Sequence, residues 1–200
     1  DNIAIGRSAN LGSSSASGNH NIAIGEFAIG DGNGTTHSDN VAIGRCSQYT
    51  VTSGYQNVAI GISSMYGGPL TGHDNVAVGV RTMDALTSGQ CNIAMGPDAF
   101  GAGTTGCLNV AIGLCALGTG VVTGCHNVAI GTNALKVQTS ATGNYAIGKD
   151  AGQSIGTGGS NGFYGMNAGG GVTSGTNNVF IGQEAGQDPE VSGNRSNAIS

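Results

Sequence analysis

Asn109-Val110-Ala111-Ile112-Gly113, followed three residues on by Ala116, decides how this chain folds. The block, an Asn, a β-branched residue, Ala, a second apolar residue and Gly, begins again at Asn2, Asn21, Asn40, Asn57, Asn75, Asn92 and Asn127. Looser copies begin at Asn144, Asn161, Asn178 and Asn197, so successive Asn residues stand 17–19 apart along the whole chain. Self-similarity at a fixed period marks a repeat architecture, and this period is too short for units of paired helices. A helical reading also fails inside the unit, because Gly recurs every few residues and each costs about 1 kcal/mol in a helix interior. Val and Ile at alternate places, closed by Gly, describe a short strand and a corner. The fold class is therefore all-β. One short strand per repeat winds into a parallel β-solenoid, a β-roll with one coil per 17–19 residues.

Working outward from the block, a small residue stands seven places after each Asn, as at Ala9, Ser47, Thr82 and Ala134. A Ser/Thr-Gly pair precedes most blocks, as at Ser53-Gly54, Thr71-Gly72 and Thr123-Gly124. The length variation falls between these signatures, which makes that stretch the exposed loop. Adjacent coils lie about 4.8 Å apart, so equivalent residues form columns. The Val and Ile columns are expected to supply a narrow core, with the Ala column against a close neighbour. The Asn column is expected to link coils by side-chain amide hydrogen bonds. The Gly after the strand allows a corner with φ > 0. Twelve recurrences of Asn and eleven of the closing Gly make both architectural rather than catalytic.

Composition supports this reading. Of 200 residues 39 are Gly, none is Trp, and only 8% are charged and 4% aromatic. A thick core lacks its large side chains here, and three Pro without a triplet Gly period exclude collagen. The six basic residues are scattered against a net charge of −5, so nucleic acid finds no electrostatic footprint. No apolar run reaches the roughly 18 residues of a membrane helix. Residues 1–200 read as a single array of about eleven coils, a rod of roughly 53 Å. No atypical capping coil is visible at either end. The expectation is a segment of a longer array or a unit that docks end to end into a filament.

Few residues invite chemistry. Cys107 and Cys125 each lie two places before a block Asn on consecutive coils. Columns at that spacing fall inside the Cα range of a disulfide, so a Cys107–Cys125 bridge is sterically allowed; buried thiols in a column are the alternative. Cys46 and Cys115 share a register position four coils apart and cannot pair within one chain. His20, His37, His73 and His126 sit in differing registers, and no carboxylate recurs in one column, so neither a metal nor a cofactor is expected. Asn33 and Asn194 head N-glycosylation acceptor patterns in expected loops. Tyr49, Tyr55 and Tyr66 fall in loops of neighbouring coils, where they could stack on surface glycans, cap coil edges or pack against another chain.

The runs Asn127–Ala134 (NVAIGTNA) and Asn109–Ala116 (NVAIGLCA) resemble the head repeats of YadA-like trimeric autotransporter adhesins, and similar repeats occur in phage tail-fibre proteins. The resemblance covers nearly the whole chain. It implies a left-handed parallel β-roll, three chains side by side, and an adhesive fibre on a cell or virion surface. The period of 17–19 residues is longer than is usual in those heads, and no coiled-coil stalk or membrane anchor is visible in this stretch.

Three functions compete. The first is a non-enzymatic extracellular structural or adhesive fibre that self-associates, as a homotrimer or an end-to-end filament, and displays loops for attachment. The second is a left-handed β-helix acyltransferase: Ile5–Ala9 and Ile112–Ala116 fit a hexapeptide pattern, with His126 as the tempting base. The third is ice binding, which needs a steady Thr row that the mixed Ser/Thr column does not supply. The repeat, the low charge and the absence of a concentrated site favour the first.

Overall fold

The structure, a computed structural model, describes residues 1–10, 18–30, 36–186 and 198–199. Strands β1 (Ile3–Ile5), β2 (Ile22–Ile24), β3 (Val41–Ile43), β4 (Val58–Ile60), β5 (Val76–Val78) and β6 (Ile93–Met95) open the first six coils. Strands β7 (Val110–Ile112), β8 (Val128–Ile130), β9 (Tyr145–Ile147), β10 (Gly162–Tyr164), β11 (Val179–Ile181) and β12 (Ala198–Ile199) continue the series. All twelve pair in chain order in one parallel sheet. The register is that of the sequence blocks: Val110 pairs with Val128, Ala111 with Ala129 and Ile112 with Ile130. The array is therefore a parallel β-solenoid, and no helix is present among the described residues.

The corners follow from backbone sterics. The Gly closing each of β1–β11 has φ between 118° and 141°, a region L-residues avoid. A Cβ at Gly113 would lie 2.7 Å from the carbonyl of Gly131 on the next coil. Three further columns are left-handed, mostly at residues other than Gly. They include Phe27 (φ 57°), Ile29 (φ 50°) and Leu117 (φ 49°). A β-branched residue there is a genuine outlier and persists only when its surroundings over-determine it. Inter-coil hydrogen bonds do so: the Ile29 N–H donates to Ser47 O at 2.9 Å, and the Leu117 N–H to Ala134 O at 3.0 Å.

The expected core is inverted. The middle strand residues, Ala23 through Ala146, are the buried ones, while the flanking Val and Ile point outward and are half-buried or exposed. The period-2 alternation holds, but its sign is reversed. Where the opposite wall is bulky, in the coils of β2–β8, the sheet side has room for a methyl group only. The bulk comes from the opposite wall, from the residue eight places after each Asn: Ile29, Met65, Met83, Phe100, Leu117 and Leu135, all at most 1% exposed. The small column, with Ala28, Ser47, Ser64 and Ala99 at 0% exposure, lets that wall approach.

Candidate functional site

The Asn column behaves as the block spacing predicts. Asn92 donates its backbone N–H and its Nδ2–H to Asn75 Oδ1, both at 3.0 Å. A second Nδ2–H goes to the Gly106 carbonyl on the next coil at 2.8 Å. Its own Oδ1 accepts from Asn109 N at 3.0 Å and Asn109 Nδ2 at 3.1 Å. Every polar capacity of the buried amide is used, which is why no other side chain can substitute. The backbone N–H link runs unbroken from Asn2 to Asn178. Asn197 lies outside the described residues, as do the acceptor sites Asn33 and Asn194. The Gly of the Ser/Thr-Gly pair also gains a reason: its carbonyl takes the Asn amide of the preceding coil. A Cβ on Gly54 would stand 3.1 Å from Asn57 Nδ2.

Two coils depart from that Gly. Ala141 takes its place in one, with its carbonyl accepting from Asn127 Nδ2 at 3.0 Å. His37 occupies the position in the other and is buried, with its carbonyl accepting from Asn21 Nδ2 at 3.1 Å. Neither imidazole nitrogen has a hydrogen-bond partner, and burial holds its pKa below the ordinary 6.5. Its sequence register alone did not reveal this. Comparison with Gly18, Gly54, Gly72 and Gly89 in the same column would have flagged it.

The inversion of the core creates the feature with functional content. The first strand residues of β1–β11 form one outward column and the third residues another. Neither column contains a charge. Ile5 is 59% exposed, Met95 42% and Ile147 45%. In the middle coils the apolar surface widens to the residue after the Gly, where Ile62, Val80 and Leu114 are exposed. Toward β1 the same flank is charged, with Arg7, Glu26 and Arg45. The other flank, the residue before each Asn, carries Asp1, His20 and Asp39.

Elsewhere the sequence candidates are placed as follows. Cys107 and Cys125 form a disulfide with Cα atoms 4.7 Å apart, while Cys46, Cys91 and Cys115 are free. Tyr49 and Tyr66 stack with centroids 5.4 Å apart, and Tyr55 stacks on His73 at 4.6 Å, so these rings spend their faces partly on each other. His126 is exposed on the flank before Asn127, and its N–H donates to Cys107 O at 3.1 Å. Arg81 grips Asp98 through Nε at 2.7 Å and Nη2 at 2.9 Å, which raises the guanidinium pKa. Burial raises that of Asp84, against the pull of Arg81. Among the described residues no three His, Cys, Asp or Glu side chains converge as a metal site. No helix among them is long and apolar enough to cross a membrane. No family model matches the chain, and no curated protein or solved structure is detectably similar to it.

Proposed function

We propose that this chain is a non-enzymatic structural or adhesive fibre protein whose coils stack into a rod and whose apolar sheet face packs against copies of itself. The observation that carries the reading is the pair of uncharged outward columns running from β1 to β11. They make a strip on the order of 50 Å long, at one coil per ~4.8 Å. Contiguous apolar surface of that extent marks an interaction site on a soluble protein. The occupant is a second copy of this chain. A ridge pattern with a rise of one coil is matched along its whole length only by a surface of the same rise. A closed ring of copies, such as the trimer the sequence resemblance implies, would bury every strip at once. The loops on the far wall remain free to meet a cell surface or its glycans. The Cys107–Cys125 bridge suits an oxidising, extracellular location at a cell or virion surface.

Sedimentation of the purified chain tests this. An elongated oligomer is expected, and replacing Val110 and Ile112 together by Ser should weaken it at least about tenfold, since each loses a buried apolar side chain. A wild-type chain that sediments as a monomer at micromolar concentration overturns the proposal.

A further inference from the structure

We propose that the two charged flanks of the apolar face act as a register code between neighbouring copies, holding them parallel and at equal height. This rests on the side-by-side reading above. In the first three coils the flank before the Asn reads Asp1, His20, Asp39, and the flank after the Gly reads Arg7, Glu26, Arg45. With His20 protonated, signs alternate down each column, and in these three coils the two columns are opposite at each level. Vertical neighbours already attract within the chain: Arg7 bonds Glu26, and His20 Nδ1 lies 3.5 Å from Asp39 Oδ1. These side chains remain solvent-accessible, 51% for Asp39 and 72% for Arg7, so they are available to a second copy.

Symmetry decides which flanks meet. About any rotation axis parallel to the stack, all strands circulate in one sense. The strand-start flank of one copy then abuts the strand-end flank of the next at the same height. Asp1 meets Arg7, His20 meets Glu26, and Asp39 meets Arg45. Lower in the stack Leu108 meets Leu114, an apolar pair that continues the strip. A slip of one coil in one direction sets Asp39 against Glu26 and His20 against Arg7. A slip in the other sets Asp1 against Glu26 and His20 against Arg45. An antiparallel pair brings like flanks together, and when centred on β6 it places Arg45 against Lys149. A slip of two coils again brings opposite signs together, Asp39 against Arg7 and Asp74 against Arg45, but it leaves two coils of each described apolar strip uncovered. The charges therefore disfavour single-coil slips and the antiparallel pair, and full overlap of the strips selects the level arrangement. Flanking charges at a coiled-coil seam choose partner and orientation in the same way. His20 is charged only when protonated, so Asp1 with Arg7 and Asp39 with Arg45 are the carboxylate–guanidinium pairs of the code.

The test uses the full chain and native mass spectrometry of mixed, differently tagged proteins. The variants Asp39→Arg and Arg45→Glu should each weaken self-association about tenfold through like charges at every interface, and the double variant should restore it to within about twofold. Mixed with wild type, the double variant should form mixed oligomers at least about fivefold below the statistical share, and this sorting should vanish in about 1 M salt. A neutral double variant, Asp39→Asn with Arg45→Gln, should mix freely. Far-UV circular dichroism confirms that each variant keeps its coils. An oligomeric wild type that mixes statistically with the charge-swapped chain overturns the register code and leaves side-by-side packing intact. A monomeric wild type removes both.

Discussion

The coils opened by β2–β8 and those opened by β10 and β11 fill the same interior from opposite walls. In the first group the strand contributes Ala, and the turn contributes the bulk, such as Phe100 or Leu135. In the second the turn is Gly169 or Gly186, and the strand contributes Phe163 or Phe180. The two rings stack with centroids 5.6 Å apart and an interplanar angle of 1°. The coil of β9 belongs to neither group, having both Ala146 and Gly152. A Cβ on Gly152 would meet Phe163 at 2.7 Å and Leu135 at 3.0 Å, so its neighbours fill it from both sides. What the array conserves is therefore the volume enclosed per coil, and the position that supplies it is free to move. Close packing enforces the volume because voids forfeit contacts and excess forces strain.

The largest effect expected from breaking this arrangement is at Phe163. Replacing it by Ala removes the filling of two coils and should cost about 3–5 kcal/mol in a thermal or urea melt. Adding Gly169→Leu converts that coil to the other pattern, at a backbone angle (φ 64°) close to that of Leu135 (φ 49°). The double variant should recover at least half of the loss. If it is no more stable than Phe163→Ala, interchange of volume between the walls is the wrong explanation.

A smaller effect sharpens the comparison by showing what the two groups share. Asn109→Ala and Asn161→Ala each strand the amides above and below, at about 1–3 kcal/mol. The two costs should agree, because the Asn column does not sense which wall fills the core. A gap above about 1 kcal/mol, measured by urea unfolding, would mean that column and core are coupled.

The smallest effect separates the two ends of the array. His37 is buried with its pKa below 6.5, whereas the same column carries Gly158 and Gly175 in the C-terminal coils. As pH falls below about 6.5 the unfolded chain takes up the proton first, so stability is full above that value and declines below it. His37→Gly should flatten this decline. Hydrogen exchange at mildly acid pH should loosen the coils around β2 and β3 in the wild type and leave those of β10 and β11 protected. Equal acid sensitivity of wild type and His37→Gly would remove His37 as the cause.

Strand positions, their parallel order and the Asn column are legible in the sequence, and the Cys107–Cys125 bridge is legible there as sterically allowed beside buried thiols. Each depends only on which residues recur in register. Three things are not. The buried His37 looks like any loop histidine unless its column is compared coil by coil. The left-handed Ile29 and Leu117 defy local propensity and are held by hydrogen bonds from the next coil. The outward direction of Val and Ile is hidden because size alone assigns larger apolar residues to the inside. The candidate site is that same face, so the sign of the core and the interaction surface are hidden together.

Periodicity by itself determined that this chain is a stack of like coils, because a strand repeated at constant spacing can satisfy its backbone only against its own neighbours. The tertiary structure alone decided which side of each strand is interior. Alternation defines two faces without naming them. The choice falls to the width between the walls, and in the coils of β2–β8 that width admits a methyl group from the strand and leaves Val and Ile outside.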